Sequence, residues 1–500
     1  MRFFTLFVMA LLLSACRHDQ GSNNNTPNEQ DKWVSGEFMP SAHFAKLCES
    51  PRQNNDYQDL QGTYVDENNW IRSWSHETYL WYNELPDIDP ITITDPIDYF
   101  DRMKTSANTS DGRPRDRFHY AQNTEEYNQY NQAGISAGYG FTYVRIQTTV
   151  PRKVLIIFSE PNSPAAANNI TRGAEIISID GEAMSNGNAD ILNAGLIPET
   201  LGESHTFEIK DLNATSTRTV VLQSSKIVTV PVHRQKIIDR GDKKIGYLML
   251  NNFFVASAEK QLIDAMYDFK NNQINTLVLD FRYNPGGYVS LSGDLGTMIA
   301  GNTALGSVFT KLKLNDKLSR DNLTFRFTST SNSGLSVTRG TLLPKLNLPR
   351  VYVLSSLNTA SASEYLINGL RGIGVEVILI GTTTTGKPYG WQTSENCGTT
   401  YSTIQFKGEN AMGFSDFAYG FVPSAEDNGE NQVRGCHVYD DLTQLLGDEN
   451  ERMLATALYF IDNNECPISA HNVISKPEHP LSSVRGEVIS RFPATGLLIQ

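Results

Sequence analysis

Three stretches of this chain are apolar without interruption and then stop at small, flexible residues: INTLVLDFRYNPGG (274–287), PRVYVLSS (349–356) and VEVILIGTTTTGK (375–387). A strand whose apolar residues run in succession, rather than in alternation, is buried on both faces. That is the mark of a parallel sheet covered by helices. The helices are also legible. SAEKQLIDAMYDFKNN (257–272) has amphipathic spacing, and YLINGLRGI (365–373) begins directly after the second apolar run. KKIGYLMLNNF (243–253) adds another strand. Strand–helix–strand alternation defines an α/β unit, whose functional groups are expected on the loops that leave the strand ends.

Those loops carry an unusual set of residues. The second run delivers the chain to NTASASEYLINGL (358–370), where hydroxyl and methyl side chains crowd the mouth of a helix. Ser361 followed three residues later by Glu364 is the pattern of a capping box, which gives the stretch a structural explanation. A serine at a strand-to-helix turn is also exposed to the backbone N–H groups of a helix N-terminus, which suit a developing oxyanion. A hydroxyl needs a base to become a nucleophile. No His lies between 348 and 400, but Lys387 ends the next apolar run. Adjacent parallel strands would bring Ser361 and Lys387 to one sheet edge. Burial among threonines and the apolar VEVILIG strand would favour the neutral amine that a lysine base requires. The alternative is a solvated loop lysine beside a helix cap, with Ser363 as the competing nucleophile.

LDFRYNPGG, TASASE and GTTTTGK, in this order, resemble the motifs of the C-terminal processing peptidases, serine peptidase family S41. The resemblance implies Ser361 as nucleophile, Lys387 as general base, and an oxyanion hole from the amide of Ala362 and a glycine amide of the Pro-Gly-Gly turn. That glycine is Gly286, with Gly287 as the fallback. Many family members carry a Gln four residues after the lysine. Here Trp391 stands at that position and Gln392 one residue later, so Gln392 is the residue expected to support Lys387, at a changed spacing. No cofactor is implied. The substrates implied are proteins or peptides.

Upstream, the texture becomes glycine-rich and β-like. KVLIIFSE, HTFEIKDL and TRTVVLQSSKIVTV are strand candidates, and PNSPAAANNI is a turn with a short helix. Gly138, Tyr139, Gly140 and Phe141 resemble the carboxylate-binding loop of a PDZ domain. SPAAANNITRGAEIISIDG resembles the segment in which a short PDZ helix leads into a strand ending at Asp-Gly. Such a domain accepts a peptide by strand addition and holds its terminal carboxylate on backbone amides. Before it, residues 68 to about 130 read as helical. Trp70, Trp74, Tyr79, Leu80 and Trp81 are spaced as one aromatic face, and PIDYFDRMKTS is expected to form a second helix.

The chain opens MRFFTLFVMALLLSAC, with one early cation, an apolar run and then small residues, the layout of a secretory signal. Its end resembles a bacterial lipobox with Cys16 as the lipidated residue. Arg17 after that cysteine favours the outer membrane by resemblance to enterobacterial sorting. The polar, Asn-rich segment that follows cannot bury enough surface to fold and reads as a tether. The expected boundaries are therefore a leader at 1–16, a tether at 17–33, a helical region at 34–133, a PDZ-like unit at 134–226, an α/β peptidase core at 227–465 and a tail at 466–500. The localisation expected is the bacterial cell envelope, with membrane attachment through Cys16.

Charge and cysteines narrow the reading. The formal charge is −13, with no basic cluster that would hold nucleic acid. There is no HExxH, CxxC or paired-His spacing, so no metal site is expected. Cys48, Cys397, Cys436 and Cys466 allow three full pairings in an exported protein. Cys397 and Cys436 flank what reads as a β excursion returning to the core, and they are the pair expected here. The function expected is an exported Ser/Lys endopeptidase working through an acyl-enzyme. A non-catalytic peptide-binding lipoprotein on the same fold and an esterase or amidase on the same dyad are the competing readings.

Overall fold

In the computed structural model the described residues are 33–468, except 54, 55, 148 and 199, together with 487–489. The leader, Cys16 and nearly all of the tether fall outside them.

The centre is a seven-stranded sheet in the order Val232–Arg240, Lys243–Leu250, Thr276–Asp280, Arg350–Ser355, Glu376–Gly381, Gln432–His437, Val422–Ser424. The three apolar runs occupy its middle and pair in parallel. Alternation along each strand sends residues to two different cores. Leu277, Leu279, Val353, Val377 and Leu379 face the helices Ser257–Asn271, Val289–Ala300 and Ala362–Arg371. Val278, Tyr352, Leu354, Ile378 and Ile380 face the other way, onto Leu454 and Leu458 of helix Arg452–Asn463 and onto Val144, Leu155 and Ile157. The last three residues belong to the stretch 134–226, which the sequence reading expects to be PDZ-like and which keeps that label, so that unit shares a continuous apolar core with the central sheet.

The PDZ-like sheet runs in the order Arg218–Gln223, Ser204–Lys210, Glu175–Ile179, Lys153–Ser159, Phe141–Gln147, Glu487–Ile489. Strands Ile135–Gly138 and Ser225–Val228 pair with each other and close the unit where its chain enters and leaves. The Asp-Gly turn is present, with Asp180 at φ +51° and Gly181 at +84°. The expected irregular tail contributes a strand, Glu487–Ile489, that its composition did not signal.

Between the PDZ-like unit and the peptidase sheet lies a buried charge cluster. Arg282 is 0 % exposed and donates to Asp280 (2.8 and 2.9 Å), Glu451 (2.8 and 2.9 Å) and Asp440 (2.6 Å). Arg172, from the PDZ-like unit, donates to Asp440 at 2.7 Å and to the Tyr283 hydroxyl at 2.8 Å. Tyr283 in turn donates to Asp440, and Tyr247 donates to Asp280. Burial alone would raise the pKa of Asp440; the guanidinium groups of Arg172 and Arg282 overcome it and hold the carboxyl down at about 2.

The N-terminal region differs from its expected single aromatic face. Helix Tyr64–Thr78 ends before Tyr79. Trp70 and Trp74 stack at 5.1 Å and pack on Phe100 of helix Pro96–Arg102. Tyr79, Leu80 and Trp81 turn away into a second cluster with Tyr389 and Ile404 of the peptidase core. The region is also not purely helical: strand Tyr120–Asn123 pairs with Thr399–Ser402 of a hairpin that follows Lys387.

The expected Cys397–Cys436 pair is wrong. The disulfides are Cys48–Cys397 and Cys436–Cys466. Cys397 sits at the tip of the hairpin that docks on the N-terminal region, where Lys46 N donates to Asn396 at 2.8 Å. Cys436 lies inside a strand of the central sheet, beside the chain that leaves the last helix. The first crosslink spans 349 residues and the second 30. In the chain-entropy picture they stabilise by roughly 6 and about 3–4 kcal/mol. Non-reducing peptide mapping is expected to recover those two linked pairs; a Cys397–Cys436 peptide would overturn the arrangement.

Candidate active site

Strands Arg350–Ser355 and Glu376–Gly381 end level with each other, with Ser355 opposite Gly381. Their loops, and the loop after Thr276–Asp280, then knit together. Thr385 N donates to Thr359 O (2.9 Å), Ala360 N to Asn284 O (3.0 Å) and Phe281 N to Leu354 O (2.9 Å). The crowd of small residues has a structural meaning here, because their hydroxyls satisfy carbonyls of neighbouring loops. Thr359 Oγ1 donates to Phe281 O, and Ser363 Oγ to Asn284 O at 3.2 Å. Ser363 is fully buried, and its hydroxyl is spent on this contact.

Ser361 is different. It is 9 % exposed, precedes helix Ala362–Arg371, and has φ +54° and ψ −117°. A non-glycine residue held there costs on the order of 1–3 kcal/mol, and such strain concentrates at functional sites. Gly286 presses against it. A Cβ at Gly286 would lie 2.7 Å from Ser361 Cβ and 2.8 Å from Ala362 N, so only glycine fits at φ +105°. The Gly286 N–H is engaged by Asn284 Oδ1 at 2.9 Å. Among the described residues the N–H groups of Ala362 and Gly287 have no acceptor in the hydrogen bonds formed. Ala362 therefore offers a donor as expected. On the glycine turn, the amide of the fallback residue Gly287 is the one left unengaged in this conformation.

Glu364 joins the two halves of the site, and the sequence reading missed this part of its role. Its Oε2 accepts from Ser361 N (2.9 Å) and Lys387 N (2.8 Å), and its Oε1 from Gly386 N (2.7 Å) and Thr384 Oγ1 (2.5 Å). The backbones of Ser361 and Lys387 thus share one oxygen atom. Burial pushes the pKa of this carboxyl up, and the four donors act against that rise. The capping-box pattern read from the sequence was half of the function; the other half comes from a loop 23 residues away.

Lys387 is partly exposed as a residue, but its Nζ lies over the ring of Trp391, 3.8 Å from the centroid, and 5.0 Å from the centroid of Phe118. Burial lowers its pKa to about 7, against the opposing pull of Glu364 and Asp116. Phe118 comes from the N-terminal region, and its neighbour Arg117 donates to the carbonyls of Thr385 (2.9 Å) and Gly386 (3.2 Å), strapping that region onto the lysine loop.

Gln392 is not placed as expected. Its side chain is exposed, and its backbone is clamped by Gln405 through bonds of 3.0 Å in both directions. Neighbouring residues of an extended segment point to opposite sides. The one-residue change in spacing therefore delivers Trp391 to the lysine and turns Gln392 outward. A signal for Trp391 was in the sequence, at the position where Gln is usual; nothing in the sequence pointed to Phe118 or Arg117.

In the PDZ-like loop Tyr139 is a core residue, edge-on to Phe207 at 5.4 Å and beside Phe141 at 5.8 Å. Gly138 and Gly140 both have positive φ, +154° and +81°. A Cβ on Gly140 would meet Ser163 at 2.3 Å. Among the described residues no group of three His, Cys, Asp or Glu side chains could hold a metal ion.

Comparison with known proteins identifies a family likeness for the chain that carries this site. Residues 244–408 match the model of peptidase family S41, and residues 66–120 match that of the peptidase S41 N-terminal domain. The two S41 models thus match separate stretches of the chain, in the order N-terminal domain, then peptidase. It is 27% identical over 268 residues to a carboxyl-terminal-processing protease of Picosynechococcus, covering 52% of this chain and 57% of that protein. It is 28% identical over 234 residues to the chloroplastic carboxyl-terminal-processing peptidase 3 of Arabidopsis thaliana, covering 45% and 41%. The chain thus spans about half the length of these relatives. A crystal structure described as an S41 protease of Bacteroides fragilis superimposes with a TM-score of 0.60 at 25% identity, covering 83% of this chain and all of that one.

The aromatic enclosure of Lys387 leads to a test. Phe118→Ala admits water to the ammonium and removes part of the burial that depresses its pKa. With Lys387 as the base, the acid limb of the pH–rate profile is expected near 7 in the parent, where burial places the lysine's pKa, and to move to higher pH in the variant while the plateau rate is largely retained. An unmoved limb would show that Phe118 does not set the lysine's protonation.

Proposed function

We propose that this chain is a serine endopeptidase that cleaves protein substrates with a Ser361/Lys387 dyad. The observation that carries the reading is the shared Glu364 oxygen, which fixes a strained Ser361 beside a lysine whose pKa is near 7. A neutral Lys387 accepts the proton of the Ser361 hydroxyl as the oxygen attacks the scissile carbonyl. The tetrahedral oxyanion is met by the Ala362 N–H and an amide of the Gly286–Gly287 turn. Collapse expels the amine, which takes the proton from the Lys387 ammonium and leaves an acyl-enzyme. Water, deprotonated by the same lysine, then releases the acid and regenerates Ser361.

The PDZ-like unit would recruit substrates by strand addition along Phe141–Gln147, with a terminal carboxylate on the Gly138–Phe141 loop. Cys16 would carry lipid and hold the enzyme at the bacterial envelope, facing the periplasm or exterior. Two or more acyl chains give stable attachment where one is marginal.

Ser361→Ala and Lys387→Arg are expected to abolish peptide cleavage, and Ser363→Ala to retain it. Arg supplies no neutral base. Lys387→Met is expected to be inactive yet more stable at neutral pH. The sign follows from the lysine: with a folded pKa near 7 and an ordinary value of 10.5, the unfolded chain binds the proton more tightly, so burial of the amine costs stability below pH 7. That cost fades as pH rises toward 10.5. Urea unfolding of the variant at neutral and high pH reads it. Cleavage by purified, folded Ser361→Ala would end the assignment.

The anchor has its own test. Cys16→Ser is expected to move the protein from the membrane to the soluble fraction on fractionation. Unchanged membrane partitioning would count against lipidation at this residue.

A further inference from the structure

We propose that Glu487–Ile489 is a built-in competitor for the strand edge that takes substrate, so that the chain's own C-terminal segment regulates access to the PDZ-like unit. The inference rests on the reading of that edge as the recruiting one.

The PDZ-like sheet is complete without this strand. Its other members all come from residues 141–223, and Phe141–Gln147 would be its outer strand. Glu487–Ile489 arrives from far along the chain and pairs with it antiparallel, with Glu487 opposite Arg145, Val488 opposite Val144 and Ile489 opposite Tyr143. The direction matters. From Glu487 to Ile489 the segment runs toward the Gly138–Phe141 loop. An incoming peptide must run the same way for its C-terminal end to reach those amides. The tail and a substrate strand therefore need the same main-chain groups of residues 143–145, and they exclude each other.

The pairing has the strength of a gate rather than of a permanent strand. Three residues offer only a few backbone hydrogen bonds, each modest in net strength because water competes for the same groups. A free peptide of that length would be held weakly. This one is tethered: Cys466 is bonded to Cys436 in the central sheet, and residues 467–486 connect it to the strand. A tether of that order gives an effective concentration of roughly millimolar. The tail is thus present at all times, and a substrate must outbid it. The two are not equivalent. Further residues follow Ile489, so the segment on the edge is internal sequence. A substrate C-terminus brings its carboxylate to the glycine loop in addition to its strand.

Proline breaks the ladder whichever N–H faces the partner strand, so both positions are changed together. In the full chain carrying Ser361→Ala to prevent cleavage, V488P/I489P is compared with V488A/I489A, which keeps both N–H groups. The probe is a fluorescent peptide with the sequence of residues 484–493, VRGEVISRFP, read by anisotropy. If the tail fills the edge about nine-tenths of the time, freeing it tightens binding of the probe about tenfold. The alanine variant is expected to bind like the parent, and melting temperatures of all three to agree. Equal affinity for the parent and the proline variant, or binding to neither, would overturn the proposal. With Ser361 intact, the proline variant is expected to lower KM for a peptide substrate and leave kcat unchanged. A chain that cleaves nothing would remove the peptidase reading, while the anisotropy result would still decide this one.

Discussion

Arg282 is a guanidinium with no access to water, two residues beyond the strand that leads into the Asn-Pro-Gly-Gly turn. A buried charge is tolerated only when it is paired and hydrogen-bonded on every side. Asp280 comes from its own strand, Asp440 from the loop after strand Gln432–His437, and Glu451 caps helix Arg452–Asn463 through bonds to Met453 N and Leu454 N. Arg172 extends the cluster into the PDZ-like unit. Removing one partner from such a group typically costs about 3–5 kcal/mol, because the others are left uncompensated. The cluster therefore fixes the register of four separate segments at once. It also holds the backbone of the glycine turn that meets Ser361, since the Ser356 hydroxyl donates to Arg282 O.

A buried carboxylate plays the matching part at the other side of the site. Among the described residues Glu364 has no cationic partner in direct contact. It is held by three backbone N–H groups and one hydroxyl, which define where Ser361 and Lys387 begin. The two buried charged groups divide the task. The Arg282 cluster sets the glycine turn against the sheet and ties in residues 134–226, and Glu364 sets the backbone of Ser361 against that of Lys387. The N-terminal region then closes the lysine side with Phe118 and Arg117, and the Cys48–Cys397 crosslink holds the hairpin that follows the lysine loop onto that region. The two stretches that match separate S41 models thus build one environment for Lys387.

Much of the peptidase core was legible because its signals are local. Continuous apolar runs fix buried strands, the amphipathic spacing of 257–272 fixes a helix, and glycine at positive φ marks turns. The motifs that single out Ser361, Lys387, Ala362 and the glycine turn are likewise runs of neighbouring residues. The failures involve partners far apart in the chain. Cys397 was matched to Cys436 because the intervening excursion returns to the core, but its tip docks on the N-terminal region instead. Gln392 was assigned by its distance from Lys387 along the chain, and one residue of spacing turned its side chain outward. The strand Glu487–Ile489 has no signature of its own; only an open edge elsewhere makes it a strand.

By itself the sequence determined the α/β class and the parallel strands, and it singled out the side chains proposed to react, since periodicity and turn chemistry act over a few residues. Only the tertiary structure decided what surrounds those side chains. The depressed pKa of Lys387 depends on rings contributed by residues 118 and 391, and Glu364 becomes a clamp only when a loop 23 residues later folds onto it. Electrostatics and desolvation depend on distance through space, and a linear pattern records distance only along the chain.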